Sequence, residues 1–258
     1  MKRRFVLLAL VIAAATPVVA AELKPATVAA FDRYVRATEA RMKDELSSRN
    51  RFVKPVKAGA FAIESLKTRE AGKEIDVPDG LIHHWVGTVF VPGATADQAV
   101  ALLQDYNRHA EIYRPAVARS KIIERRGDAF KVYLRFFMKK GITVVMNSDH
   151  DAQFFRPSPD RAHSRIYSTR IAEVENPDTP REREKPVGND GGYLWRLYSY
   201  WRFLERDGGV YVQCESISLT RGIPMGLGWL IGPFVTSIPR ESLTFTLETT
   251  RKVLAQGK

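Results

Sequence analysis

The chain of 258 residues holds a single cysteine, Cys214. No intrachain disulfide can form, so an apolar core and not cross-links must hold the fold. Cys214 lies on the valine face of the strand-like run Val210-Tyr-Val-Gln-Cys-Glu-Ser, where a small buried hydrophobe is the ordinary role of a cysteine. Patterns that carry chemistry are missing as well. No Cys/His spacing suits zinc, no glycine loop suits a phosphate, and no serine-nucleophile elbow occurs. There is no internal repeat. Beyond the first twenty residues no apolar run approaches the length that spans a bilayer. These absences exclude a disulfide-stapled scaffold, a zinc module and a glycine-loop nucleotide site. No metal and no cofactor is expected.

What the chain has begins with a basic start, Lys2, Arg3 and Arg4, then an apolar run from Phe5 to Ala15 and small residues from Val18 to Ala21. That order reads as a secretory signal peptide over residues 1–20, cleaved to leave a soluble periplasmic or secreted protein beginning at Ala21 or Glu22. No cysteine follows the apolar run, which excludes bacterial lipidation. The formal net charge is +11, and removing the three charges of Lys2, Arg3 and Arg4 leaves +8. Excess base draws nucleic acid or anionic membranes. Export removes nucleic acid as a partner. A solvated basic surface is the simplest reading of the charge, and transient contact with an anionic membrane surface is the second.

Residues 21–80 read as a helical extension and linker. Val28, Phe31, Val35, Met42 and Leu46 recur near helical spacing between Glu22 and Ser48, and Pro78-Asp79-Gly80 supplies turn chemistry. From Leu81 the pattern changes to a strand (Leu81–Val91), a Thr95-capped helix (Ala96–Tyr106) and a short helix before Pro115. Four strands follow: Val117–Arg125, Ala129–Met138, Ile142–Phe154 and His163–Val174. Glu175–Gly192 is charged and proline-rich, and reads as an exposed loop. Two more strands, Tyr193–Glu205 and Val210–Thr220, join at Asp207-Gly208-Gly209. Gly222–Val235 then carries no charge and four glycines, and is expected to be a loop. Pro239 is expected in the first turn of a last helix capped by Thr236 or Ser237. Its apolar arc, which includes Leu243, Leu247 and Leu254, is too broad for a flat surface and suits a helix held inside a curved sheet.

This order, with DYNRHAEIYRPAVARSKIIER after the first strand and SYWRFLERDGGVYVQCESISLTRGIP before the last helix, resembles the START-like superfamily (SRPBCC, or Bet v 1-like helix-grip) from roughly Leu81 to Ala255. The resemblance implies an α+β fold over residues 81–256: a curved antiparallel β-sheet wrapped around a long C-terminal α-helix. It implies a hydrophobic cavity between the two. Members bind lipids, sterols, polyketides or quinones, and some catalyse cyclisation. The expectation is therefore an exported binding or transfer protein for a lipid or other hydrophobic small molecule. A cyclase- or dehydratase-type enzyme in the same cavity, or a protein-interaction module, are the alternatives.

Trp195, Trp201 and Phe203 share a strand face with Leu197 and are candidates for the cavity wall, together with Leu243 and Leu247 of the last helix. Met225, Trp229 and Phe234 are candidates for a lid or membrane-touching rim. Arg165 and Arg170 lie in a strand, and on a concave face either would need a partner or a ligand head group. An enzyme would need polar groups converging in the cavity, and Arg165, Arg170, His150 and Glu215 are the candidates. Within Ser148-Asp149-His150-Asp151, alternation puts both aspartates on the face opposite His150, so the four cannot form a triad or metal site by themselves. No catalytic residue is assigned.

Overall fold

Period-two alternation from Gly80 onward builds one large sheet, and two helical segments cover its two faces. The computed structural model describes residues 20–57, 60–140, 142–223 and 228–257, leaving aside the side chains of 228–235. The elements are β1 (Ala21–Glu22), α1 (Pro25–Ser47), β2 (Phe61–Ser65), β3 (Arg69–Glu70), β4 (Lys73–Glu74), β5 (Gly80–Pro92), α2 (Ala96–Gln104), a 3-10 turn (Tyr106–Arg108), α3 (His109–Ile112), β6 (Val117–Arg126), β7 (Ala129–Lys140), β8 (Ile142–Ser158), β9 (Arg161–Glu175), β10 (Arg183–Glu184), β11 (Asn189–Asp190), β12 (Arg196–Arg206), β13 (Gly209–Arg221) and α4 (Gly228–Gln256).

The main sheet runs β2-β5-β13-β12-β9-β8-β7-β6, all antiparallel, with β10 added on β9. β13 returns to lie beside β5, so the first and last strands of the 81–256 region are neighbours, next to the edge strand β2. Phe61–Ser65, read from sequence as part of the extension, hydrogen-bonds to Trp85–Val89 as an edge strand. The β12–β13 hairpin closes through Asp207 (φ 58°) and Gly208 (φ 73°). Two consecutive positive φ values match the twist of the flanking strands, which explains the Asp-Gly pair there.

α2 starts as the sequence predicts. Thr95 Oγ1 accepts from Gln98 N, and the Gln98 side chain accepts from Thr95 N, a reciprocal cap. α4 starts earlier than predicted. The helix runs from Gly228, so Pro239 is internal and neither Thr236 nor Ser237 is its cap. Pro239 removes one backbone donor and the glycines lower helix propensity, but these are local effects that surrounding structure overrides. Met225 lies outside the described residues, as do the side chains of Trp229 and Phe234. Further along, the hydroxyls of Thr244, Thr246 and Thr250 bond back to the carbonyls four residues earlier, which satisfies them inside the helix.

Glu175–Gly192 is not a free loop. β10 pairs with β9, β11 pairs with β1, and Glu182, Glu184 and Lys185 reach Arg135, Arg170 and Glu173 of the sheet. The high charge of the segment is used to strap it down.

Each sheet face has its own core. On the concave side Val89, Val132, Phe154, Ile166, Phe203 and Val212 pack against Leu243, Leu247 and Leu254 of α4 and Leu103 of α2. On the convex side α1 lays Phe31, Tyr34, Val35 and Met42 over Trp195, Tyr200, Ile217 and Leu219. The convex layer also holds buried polar groups. His84 Nδ1 lies 2.9 Å from Tyr34 Oη, and His84 Nε2 lies 2.6 Å from Glu215 Oε1. Arg41 of α1 donates to the same carboxylate. Burial alone would raise the Glu215 pKa, but the His84 hydrogen bond and the Arg41 charge outweigh it and hold the group below its usual value.

Candidate functional site

Between the concave face and α4 lies a cavity of about 460 Å³, within the size range of small-molecule sites. Its walls are apolar and aromatic: Tyr113, Phe136, Met138, Leu197, Trp201 and Leu243. α4 contributes the stretch around Pro239–Thr246, and β6, β7, β12 and β13 supply most of the rest. Exposed Lys139 and Glu241 stand at its margin. Lys140 ties the margin together, donating to Ser237 Oγ (2.6 Å) and to Glu241 of α4. Tyr113 and Thr250 hydroxyls meet at 3.0 Å, joining α3 to the far part of the same helix.

Along β12 and β13 the polar groups facing this space are small hydroxyls. Ser199 pairs across the strands with Ser216, and Ser218 and Thr220 continue the row beyond Cys214. Two imidazoles line the cavity. Burial pushes both down to about 4, and His109 keeps a contact of 3.1 Å to the Leu103 carbonyl. His150 lies on the concave face with Ser148, while Asp149 and Asp151 point the other way. Its Nε2 is 2.9 Å from Ser148 Oγ, and its ring packs edge-on to Phe136. Burial also raises the Cys214 thiol well above its usual range and pushes the Tyr113 hydroxyl up to about 12. At neutral pH these interior groups are all uncharged. Among the described residues no group of three His, Cys, Asp or Glu side chains could hold a metal ion.

Of the sequence candidates, Trp201, Leu243 and His150 line the cavity. Phe203 and Leu247 sit in the core packed beside it. Leu247 presses on β5 where that strand has Gly87: a Cβ there would stand 2.4 Å from Leu247 Cδ1. Four candidates lie elsewhere. Trp195 precedes β12, where the backbone does not yet follow the strand's alternation. It packs with α1 on the convex side and donates from Nε1 to Asp190 Oδ1 at 3.1 Å. Arg165 is exposed and stacks over Phe155 and Tyr167. Arg170 follows a register shift in the β8–β9 pairing and pairs with Glu184 and Asp149. Glu215 is buried, but under α1 with Arg41 and His84. Sequence reasoning passed over Tyr106, Tyr113 and the serine row. Extending the alternation Val210, Val212, Cys214 by three steps finds Ser216, Ser218 and Thr220.

No protein-family model and no curated protein matches the chain. Solved structures do. Human STARD10 is similar with a TM-score of 0.50 and 11% identity, over 86% of this chain and 80% of that one. A STAR-related lipid transfer protein from Xanthomonas axonopodis gives 0.49 and 17%, over 78% and 96%. The Zhui aromatase/cyclase from Streptomyces sp. R1128 gives 0.44 and 16%, over 67% and 94%. With its strand order, its open antiparallel sheet packed on a terminal helix and its likeness to STARD10, the chain has the START-like helix-grip fold.

Proposed function

We propose that this protein binds or transfers a lipid or another hydrophobic small molecule, held between the sheet and α4, after export from the cytoplasm. The observation that carries the reading is the cavity of about 460 Å³, walled mostly by apolar and aromatic side chains, with charged groups among the described residues only at its margin, Lys139 and Glu241. Burying each large apolar group of a ligand there contributes about 25 cal/mol per Å² removed from water. The cyclase-type reading has less support. Of its four candidate polar residues, Arg165, Arg170 and Glu215 lie outside the cavity, and only His150 lines it. Export is supported by the basic-apolar-small order of the first twenty residues, and contact with an anionic membrane by the net charge and the uncharged Gly222–Val235 stretch. No helix among the described residues is long and apolar enough to cross a membrane.

Native mass spectrometry of the protein purified from its producing cells, followed by extraction, tests the reading. An apolar molecule released in stoichiometric amount is the expected result. A protein that carries none, and binds no hydrophobic compound offered to it, counts against the function.

A further inference from the structure

Of the nine buried serines and threonines among the described residues, seven are hydrogen-bonded within the protein. The other two differ in where they lie. The Ser164 hydroxyl is sealed in the interior, whereas Ser218 lines the cavity. Beside Ser218, Ser199 and Ser216 line the same cavity. These two are only half-buried, and none of the three hydroxyls has a partner among the described residues. β12 and β13 each have a strand on both sides, so the surface left on these concave-face serines opens to the cavity. Ser199 and Ser216 stand opposite each other in the ladder, which puts their Cβ atoms about 5 Å apart. Ser218 is two residues further along the same face, about 7 Å away. Leu197, Ile166 and Trp201 surround the patch with apolar surface.

We propose that Ser199, Ser216 and Ser218 receive the head of the bound molecule, and that the ligand is an amphiphile with one apolar chain and an uncharged, hydroxyl-bearing head of the glycerol type. This rests on the hydrophobic-ligand reading and names its ligand class. A serine hydroxyl donates one hydrogen bond and accepts others, so the patch matches a head whose oxygens also do both. A diol holds two such oxygens side by side, as Ser199 and Ser216 hold theirs. A carboxylate or phosphate is a poor match, because the charged groups lining the cavity, Lys139 and Glu241, stand exposed at its margin and not on the patch. A hydrocarbon or a simple ester covers the serines without pairing them all, and a polar site rejects the analogue that leaves its groups unpaired. The cavity of about 460 Å³ lies in the lower half of the range for small-molecule sites, about 300–1,000 Å³, which suits one chain and not two.

Displacement of the neutral fluorescent probe N-phenyl-1-naphthylamine from the purified protein, by 1-monodecanoylglycerol and by methyl decanoate, tests the assignment. The two esters share their chain and differ in the diol. The glyceride should bind roughly tenfold or more tightly than the methyl ester. Replacing the three serines together (Ser199→Ala, Ser216→Ala, Ser218→Ala) should bring the two affinities to within about twofold of each other. Each single alanine variant should reduce the preference, which keeps the test open where the triple variant folds poorly, and Ser216→Thr, which retains the hydroxyl, should keep it. Equal affinities in the wild type, or a preference that survives all three replacements, overturns the proposal and leaves the serines to cavity water. A wild type that binds the probe but not the glyceride overturns the proposal alone. A wild type that binds neither the probe nor the esters overturns the hydrophobic-ligand reading, and the proposal with it.

Discussion

The contact between Leu247 and Gly87 is the point at which the sheet holds its helix, and it can be tested by a double-mutant cycle. A methyl at position 87 would stand 2.4 Å from Leu247 Cδ1, 3.4 Å from the Ala62 carbonyl oxygen and 3.7 Å from Leu243 Cδ2. The nearest clash is with a side chain that is itself fully buried, so it has little room to give. Gly87→Ala should therefore cost about 1–3 kcal/mol by overpacking, offset in part by the lower entropy of the unfolded chain. Leu247→Ala should cost about 2–5 kcal/mol, the transfer of a buried leucine plus the void it leaves. In the double variant the methyl introduced by Gly87→Ala enters space that Leu247 has vacated. The clash disappears and the void shrinks, so the pair should be less damaged than the sum of the singles by about 1–2 kcal/mol. Urea unfolding followed by tryptophan fluorescence and circular dichroism reads all four states of the cycle. Costs that add to within about 0.5 kcal/mol would mean that Leu247 does not rest on Gly87 and that α4 is seated elsewhere.

Acid should destabilise the fold early. His83, His109 and His150 are held down to about 4 by burial, against 6.5 when free. Between those values the unfolded chain takes up protons that the folded one refuses, so stability is full above pH 6.5 and falls as pH drops toward 4, by up to about 3 kcal/mol for each histidine. A chemical-denaturation series from pH 8 to pH 4 with a flat midpoint would refute this. Asp190 works in the opposite direction. Burial, reinforced by the nearby Glu173 charge, raises it to about 6 from 3.8, so its contribution is best below pH 4 and is lost as pH rises through 6. Asp190→Asn should stabilise the protein at pH 7 by up to about 3 kcal/mol and have little effect at pH 4. An equal shift at both pH values would show that packing, not charge, governs the site.

The sequence made strand faces legible wherever alternation ran unbroken. His150 against Asp149 and Asp151, or Trp201 and Phe203 against Tyr200 and Arg202, could be separated from the pattern alone. It failed at the ends and shifts of strands, where Trp195 and Arg170 stand. A deeper limit is that alternation separates faces without saying which is concave. Here both faces are buried, because α1 covers the outer one, so burial and polarity could not break the tie. The strand of Glu215 does not say which face it occupies, and its contacts with Arg41, 174 residues earlier, and with His84 put it under α1. The start of α4 was missed for a different reason. Pro239 satisfies the rule for a first turn, but a favourable local signal does not forbid the helix from beginning earlier, at Gly228.

The docking of α1 also sets a clock. Beside early-encoded partners such as Thr68 and His84, it packs on Tyr200, Glu215, Ile217 and Leu219, which are encoded near the far end of the chain. A ribosome adds about 5–20 residues per second, so Arg41 waits roughly 9–35 s between its own synthesis and that of Glu215, 174 positions later. Throughout that interval Phe31, Val35 and Met42 have no finished sheet to cover. The helix that is made first is among the last to find its place, and for those seconds its apolar stripe is open to any chaperone that recognises one.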